Sequence, residues 1–160
     1  MIRISKIIAA LFIGSIGSFF FLNNLFNLES AYSVVSYVVS GADQPNYKIF
    51  GPVSSSVSLN YLALIIIMVI EFVIGLLGFY GAYNLIKNRK KSLKEFNEAK
   101  KFAISASLLG MFFWYGFFVI IGEGYFQMWQ TIIGLGSVEG AFRYGTICAA
   151  LAFYISINND

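Results

Sequence analysis

The sequence predicts an all-α fold, an integral membrane four-helix bundle with short interfacial amphipathic helices on its outer side. Three observations predict it. Of 160 residues, 58% are hydrophobic and only 12% charged, where a soluble domain usually carries about 25% charged residues to wet its surface. The apolar residues fall in long blocks, each close to the roughly twenty residues with which a helix crosses the ~30 Å hydrocarbon core. Nine of the eleven basic residues lie in the first six positions or in the connection 87–101, which is the asymmetry expected when cations collect on the cytoplasmic side.

The first span is expected over residues 5–27. MIRISK supplies Arg3 and Lys6, and an uncharged apolar run follows. The opening resembles a signal peptide, but the run is longer than a usual apolar core and no A-x-A-like cleavage site follows it. Gly14, Gly17 and Ser18 offer a small-residue face for helix packing. Asn23, Asn24 and Asn27 cluster at its far end, where polar groups are cheap and serve as interfacial caps. In AYSVVSYVVS, residues 31–40, valines and serines occupy different helical faces. That pattern suits an amphipathic segment lying in the interface, or an extension of the first helix out of the membrane. Residues 41–58 hold both prolines, Pro45 and Pro52, with Gly51, Asp43 and a serine cluster, and read as a loop.

The second span, 59–86, is the longest apolar block and contains a single carboxylate, Glu71. Gly75, Gly78, Gly81 and Ala82 form a stripe that admits a second backbone. The basic connection 87–101 follows. Within it Ser92 and Glu95 have capping-box spacing, so a helix should start near Leu93 while still in water. The third span is expected over 102–121, with Ala103, Ser107 and Gly110 for packing. Residues 122–136 read as a second interfacial helix, with Glu123, Gln127 and Thr131 on one face and Trp129 as a headgroup-level anchor. The last span, 138–157, should start near Ser137 as N-cap. Glu139 then stands in its first turn, where the helix dipole favours an acid, and Ala141, Gly145 and Ala149 add another small-residue ladder. No internal repeat is evident, and residues 1–160 are read as a single membrane domain.

Several kinds of chemistry are excluded by what the chain lacks. It has no histidine, which rules out His-ligated haem, His-based zinc sites and a Ser-His-Asp triad. Its one cysteine, Cys148, cannot form an internal disulfide and is expected to pack as a small apolar residue. There is no nucleophile-elbow, zinc-protease or phosphate-loop pattern. No catalytic residue, metal or cofactor is therefore expected. The net charge of +3 reflects topology, and nucleic acid is not an expected partner.

An acid deep in a membrane costs of order 2.5–3.5 kcal/mol on insertion scales, so Glu71 should face protein or water and have a partner. One reading pairs it with Arg143 of the last span. A simpler one pairs Arg143 with Glu139 at i, i+4, which needs no assumption about packing, and Glu123 is a further rival. Glu71 would then be a neutral polar clamp, hydrogen-bonded to an asparagine or tyrosine. The candidate polar cluster is Glu71, Arg143, Glu139, Glu123, Gln127, Gln130 and Asn23.

MIRISK (1–6), FLNNLFN (21–27), PNYK (45–48), FNEAK (96–100), FQMWQ (126–130) and EGAFRY (139–144) together resemble a bacterial family. It comprises predicted small integral membrane proteins of about this length, a domain of unknown function. The resemblance covers nearly the whole chain and implies a four-span inner-membrane protein; the charge asymmetry is what places both termini and the middle connection in the cytoplasm. It implies no activity and no site residues. The expected function is that of a small non-enzymatic membrane protein, an accessory or assembly subunit, or a homo-oligomer joined through its small-residue faces. The alternative is a transporter or channel component for a small or anionic solute, using Glu71 and Arg143. The expected partners are the lipid bilayer and a protein or second copy.

Overall fold

The computed structural model describes residues 1–42 and 44–158; Asp43 of the loop and Asn159 and Asp160 of the polar C-terminal end lie outside the described residues. Every regular element among the described residues is helical. They are α1 (Ile2–Phe26), α2 (Leu28–Val39), α3 (Val57–Asn88), α4 (Leu93–Ala99), α5 (Lys101–Phe113), a π-helical continuation (Trp114–Tyr125), a 3₁₀ turn (Met128–Gln130) and α6 (Ile132–Ser156). Three helices are long and apolar enough to cross a membrane: Ile2–Phe26, Val57–Asn88 and Leu93–Tyr125. Helix α6 matches α1 in length, at 25 residues each. It is less apolar because Glu139 and Arg143 interrupt it.

The pairing of α1 with α3 sets the rest. On α3 the buried residues Leu64, Met68, Glu71, Gly75, Gly78, Ala82 and Leu85 recur at alternating steps of four and three. That spacing holds one face toward a partner helix over several turns. On α1 the matching buried residues are Ala10, Ile13, Gly14 and Gly17. A Cβ added to Gly78 would land on the backbone of Gly14, and one on Gly17 would land on the backbone of Gly75 and Glu71. The two helices therefore touch backbone to backbone over two successive turns, an approach that only glycine permits. Further along the same antiparallel register, Phe21 meets Phe72 with ring centroids 5.1 Å apart.

Other small residues serve the same purpose. Gly81 faces the backbone of Ala103 on α5, Gly110 faces the Cys148 sulfur on α6, and Tyr115 covers Gly145. At these positions the small residues pack against helices of the same chain. Cys148 is buried among Ala106, Phe113, Trp114 and Ala141.

Helix α2 does not turn away from α3. Asn27 breaks the helix (φ −123°, ψ 43°) while its N–H still bonds the Asn23 carbonyl. Beyond the break Tyr32 stacks on Tyr61 at 4.2 Å, Asn60 Nδ2 donates to Ser36 Oγ at 2.9 Å, and the Ser54 N–H bonds the Val39 carbonyl. Helix α2 therefore packs along the first turns of α3.

The helix starts divide. The Ser92–Glu95 capping box is formed as read from sequence, with both reciprocal bonds in place. The cap of the last helix is a correction. Thr131, in an extended conformation, accepts from the Gly134 N–H at 3.1 Å, so α6 begins at Ile132. Ser137 instead bonds the Ile133 carbonyl within the helix, and Glu139 stands two turns in, away from the positive end of the dipole. The expected continuous helix over 122–136 is also corrected. The π segment ends at Tyr125, and Gln127 adopts a left-handed φ of 53° that stops helical propagation. Glu123, Gln127 and Thr131 consequently share no face.

At the opposite end the basic residues bind the bundle's backbone. Arg3 Nη1 donates to the carbonyls of Arg89 (3.0 Å) and Lys91 (2.7 Å), and its guanidinium lies 4.7 Å from the Phe96 ring centroid. Lys6 and Lys100 both donate to the Ile157 carbonyl just past α6, where a cation complements the helix dipole. One end of the molecule thus gathers the start of α1, the end of α3, α4 and the end of α6.

Candidate functional site

Glu71 occupies a position in the α3 stripe that points at α1, with only 2% of its surface exposed. The glycine contact at Gly17 brings α1 close enough for a short side chain one heptad later to reach across. That side chain is Asn24, whose Nδ2 donates to Glu71 Oε2 at 2.8 Å. Among the described residues no lysine or arginine pairs with Glu71; the ion pairs are Lys91–Glu95 and Arg143–Glu139.

Glu71 and Asn24 line a half-open cavity of about 460 Å³ bordered by α1, α2, α3, the π segment and the first half of α6. Its polar side is built from Asn23, Asn24, Asn27, Ser30 and Ser137 around Glu71. Its aromatic side is a mutually packed trio: Phe20 to Tyr144 at 4.7 Å, Phe20 to Trp114 at 5.6 Å and Trp114 to Tyr144 at 5.9 Å. Gly136 and Gly140 line the α6 wall, and a Cβ on either would meet nothing within 4 Å. These glycines leave room in the wall, whereas Gly14, Gly17, Gly75 and Gly78 bring backbones together. A second cavity of about 320 Å³ adjoins the first and shares Val34, Val35, Ile67, Phe118 and Ser137 with it. Its remaining lining, including Val38, Ile121, Phe126 and Met128, is apolar.

The other sequence candidates lie elsewhere. Arg143 reaches Glu139 at 3.5 Å, with the two side chains 72% and 56% exposed. With Glu123 they border a shallow depression separate from the Glu71 cavity. The Glu71–Arg143 pairing does not form, because Arg143 has a partner one turn away and lies on an exposed side of its helix. Gln127 and Gln130 hold a loop. Gln130 Oε1 accepts from the Asn46 and Tyr47 N–H groups at 3.0 and 2.8 Å, and its Nε2 donates to Gln44 Oε1 and the Tyr47 carbonyl. Gln127 Nε2 donates to the Lys48 carbonyl. Asn23 lines the cavity and accepts, through its backbone carbonyl, from Asn27 Nδ2.

The site residues that the candidate cluster lacks are Asn24, Phe20, Trp114 and Tyr144. A signal for Asn24 was present: it stands seven residues after Gly17, on the same stripe that packs against α3. Among the described residues no group of three or more Cys, Asp or Glu side chains gathers in a way that could hold a metal ion. A family model described as "Predicted small integral membrane protein (DUF2165)", a domain of unknown function, matches residues 2–158. No curated protein and no solved structure matches the chain.

Proposed function

We propose, for a chain that belongs to this family of predicted small integral membrane proteins, that it is a non-enzymatic accessory protein of the bacterial inner membrane which works by binding. It has four spans, both termini in the cytoplasm, and it holds a small molecule in the outward-opening cavity at Glu71. The observation that carries this reading is a carboxylate buried in a helix-packing stripe, bonded to Asn24, yet lining a cavity. An acid placed there purely as glue would be enclosed by helix contacts.

Support for a fourth span comes from α6, whose 25 residues rise ~37 Å, enough for the hydrocarbon core. Support for the orientation comes from the nine cations that cluster at one end in sequence, several of which bind the same group of helix ends. Binding is favoured over passage because every residue lining the cavity belongs to the half of the bundle remote from the basic end. A transporter or channel would need a second mouth.

The test is native mass spectrometry of the protein released from lipid nanodiscs, comparing the parent with Gly140→Leu, which fills the cavity from its glycine wall. The parent should retain a small-molecule adduct that Gly140→Leu loses. Identical adducts on both, or none on the parent, contradict the binding reading. Solute flux in liposomes that depends on Glu71 would establish the transporter instead.

A further inference from the structure

We infer that the molecule held in this cavity is an amphiphile with a cationic head: an alkyl amine or alkyl quaternary ammonium, its head at Glu71 and its tail in the apolar cleft. The inference rests on the binding reading above and adds the ligand's chemistry.

Three features of the site converge on the head group. Glu71 Oε2 is taken by Asn24, while Oε1 has no hydrogen-bond partner among the described residues and the side chain lines the cavity. No protein cation balances the acid among the described residues, since the arginine nearest in sequence expectation, Arg143, is held by Glu139 on the outside. A positive head group supplies that balance in a low-dielectric site. Phe20, Trp114 and Tyr144, whose rings pack on one another, line the same cavity as the acid, and aromatic rings attract a cation most strongly when it is desolvated. An acid beside packed aromatic rings disfavours an anionic head and gives a neutral one no charge to meet.

The tail follows from continuity. The polar cavity runs into the second cavity through shared walls at Val34, Val35, Ile67 and Phe118, and beyond them the lining is valine, isoleucine, phenylalanine and methionine. A compact ion would fill only the first chamber. A wholly apolar molecule would leave Glu71 Oε1 without a partner, at a cost for that unmet polar atom. A molecule polar at one end and aliphatic along its length matches both chambers.

The experiment uses the full chain in nanodiscs and three decyl-chain probes with a diazirine near the tail end, carrying trimethylammonium, sulfate or maltoside heads. After photolysis the labelled peptides are located by mass spectrometry. The ammonium probe should label residues 34–39 and 117–128 about tenfold more than the other two, equivalent to ~1.4 kcal/mol of preference. Excess tetramethylammonium should reduce that labelling on the unmutated protein, and Glu71→Gln should bring it down to the level of the maltoside probe. If the three heads label equally, or tetramethylammonium has no effect, the cationic head is overturned; the binding reading survives where Gly140→Leu still abolishes labelling. If no probe labels the cleft above its level in neighbouring lipid-facing peptides, both readings fall. Because the tetramethylammonium competition uses the parent protein, the outcome holds even if Glu71→Gln does not fold.

Discussion

Asn24 donates to Glu71 over 2.8 Å and so ties the end of α1 to the middle of α3. The bond depends on a contact two turns away, where Gly17 lets the helices meet at the backbone. Asn24→Ala leaves a buried acceptor unmet and should cost about 1–2 kcal/mol. Glu71→Gln, which can still accept from Asn24, should cost less. A double-mutant cycle with Asn24→Ala and Glu71→Ala in a reversible detergent-unfolding assay should give ~1 kcal/mol of coupling. Strict additivity would mean that the pair contributes nothing to the fold.

The glycines divide into two kinds, and alanine substitution should separate them. At Gly78 an added Cβ lands on the Gly14 backbone, so Gly78→Ala must push α1 away and should destabilise by about 1–3 kcal/mol. At Gly116 it meets nothing within 4 Å, so Gly116→Ala should stay within about 0.5 kcal/mol of the parent. Equal effects in the same unfolding assay would contradict the backbone-to-backbone account of the α1–α3 pair.

These two positions also show how far the sequence could be read. Long apolar blocks, a capping box and small-residue stripes are local signals, and residues such as Gly14, Gly78, Ser92 and Glu95 carry them openly. Which stripe meets which is a matter of register. The residues 14, 17, 21 and 24 on α1 run antiparallel to 78, 75, 72 and 71 on α3, and only that pairing identifies Asn24 as the partner of Glu71. Asn23 looked equivalent because neighbouring residues at a span end share composition, although they differ by ~100° around the helix. The outer segment misled for another reason. Gln127 fits a helical face by spacing, but its backbone is left-handed, and Gln127 and Gln130 satisfy five hydrogen-bonding groups of loop 44–48. Thr131 and Ser137 both suit an N-cap, and the 3₁₀ turn before Thr131 decided between them.

Gln130→Ala should free that loop without unfolding the bundle. The Asn46 and Tyr47 amides lose their shared acceptor, so their hydrogen exchange should accelerate while α1 and α3 keep their protection. Global stability should change by no more than about 0.5–1 kcal/mol. Unchanged exchange at these two amides would show that Gln130 is not what holds the loop.

The start of α4 should respond to acid. The Ser92 side chain and then its backbone N–H, with Lys91 adding less, hold the Glu95 carboxyl below its ordinary range. A lowered acid contributes stability that is fully present above its unfolded pKa and is lost as pH falls through the folded value. The capping box should therefore persist from neutral pH to about pH 5 and loosen below about pH 4. Amide shifts of Ser92 and Glu95 report it, and Ser92→Ala should remove the dependence. Loosening between pH 7 and 5, or an acid response that survives Ser92→Ala, would be the wrong result.

The proposed bundle crosses the membrane four times, with the Glu71 cavity opening away from the basic end. Single cysteines at Ser30 on the cavity rim, Ser92 in the basic connection and Ser156 at the end of α6, each in a Cys148→Ala background, test it in intact cells. Under a membrane-impermeant maleimide, Ser30→Cys should label at once, while Ser92→Cys and Ser156→Cys should label only after permeabilisation. Labelling of Ser156→Cys from outside would mean that α6 does not cross. Labelling of Ser92→Cys from outside with Ser30→Cys protected would turn the molecule over and place the cavity on the cytoplasmic side.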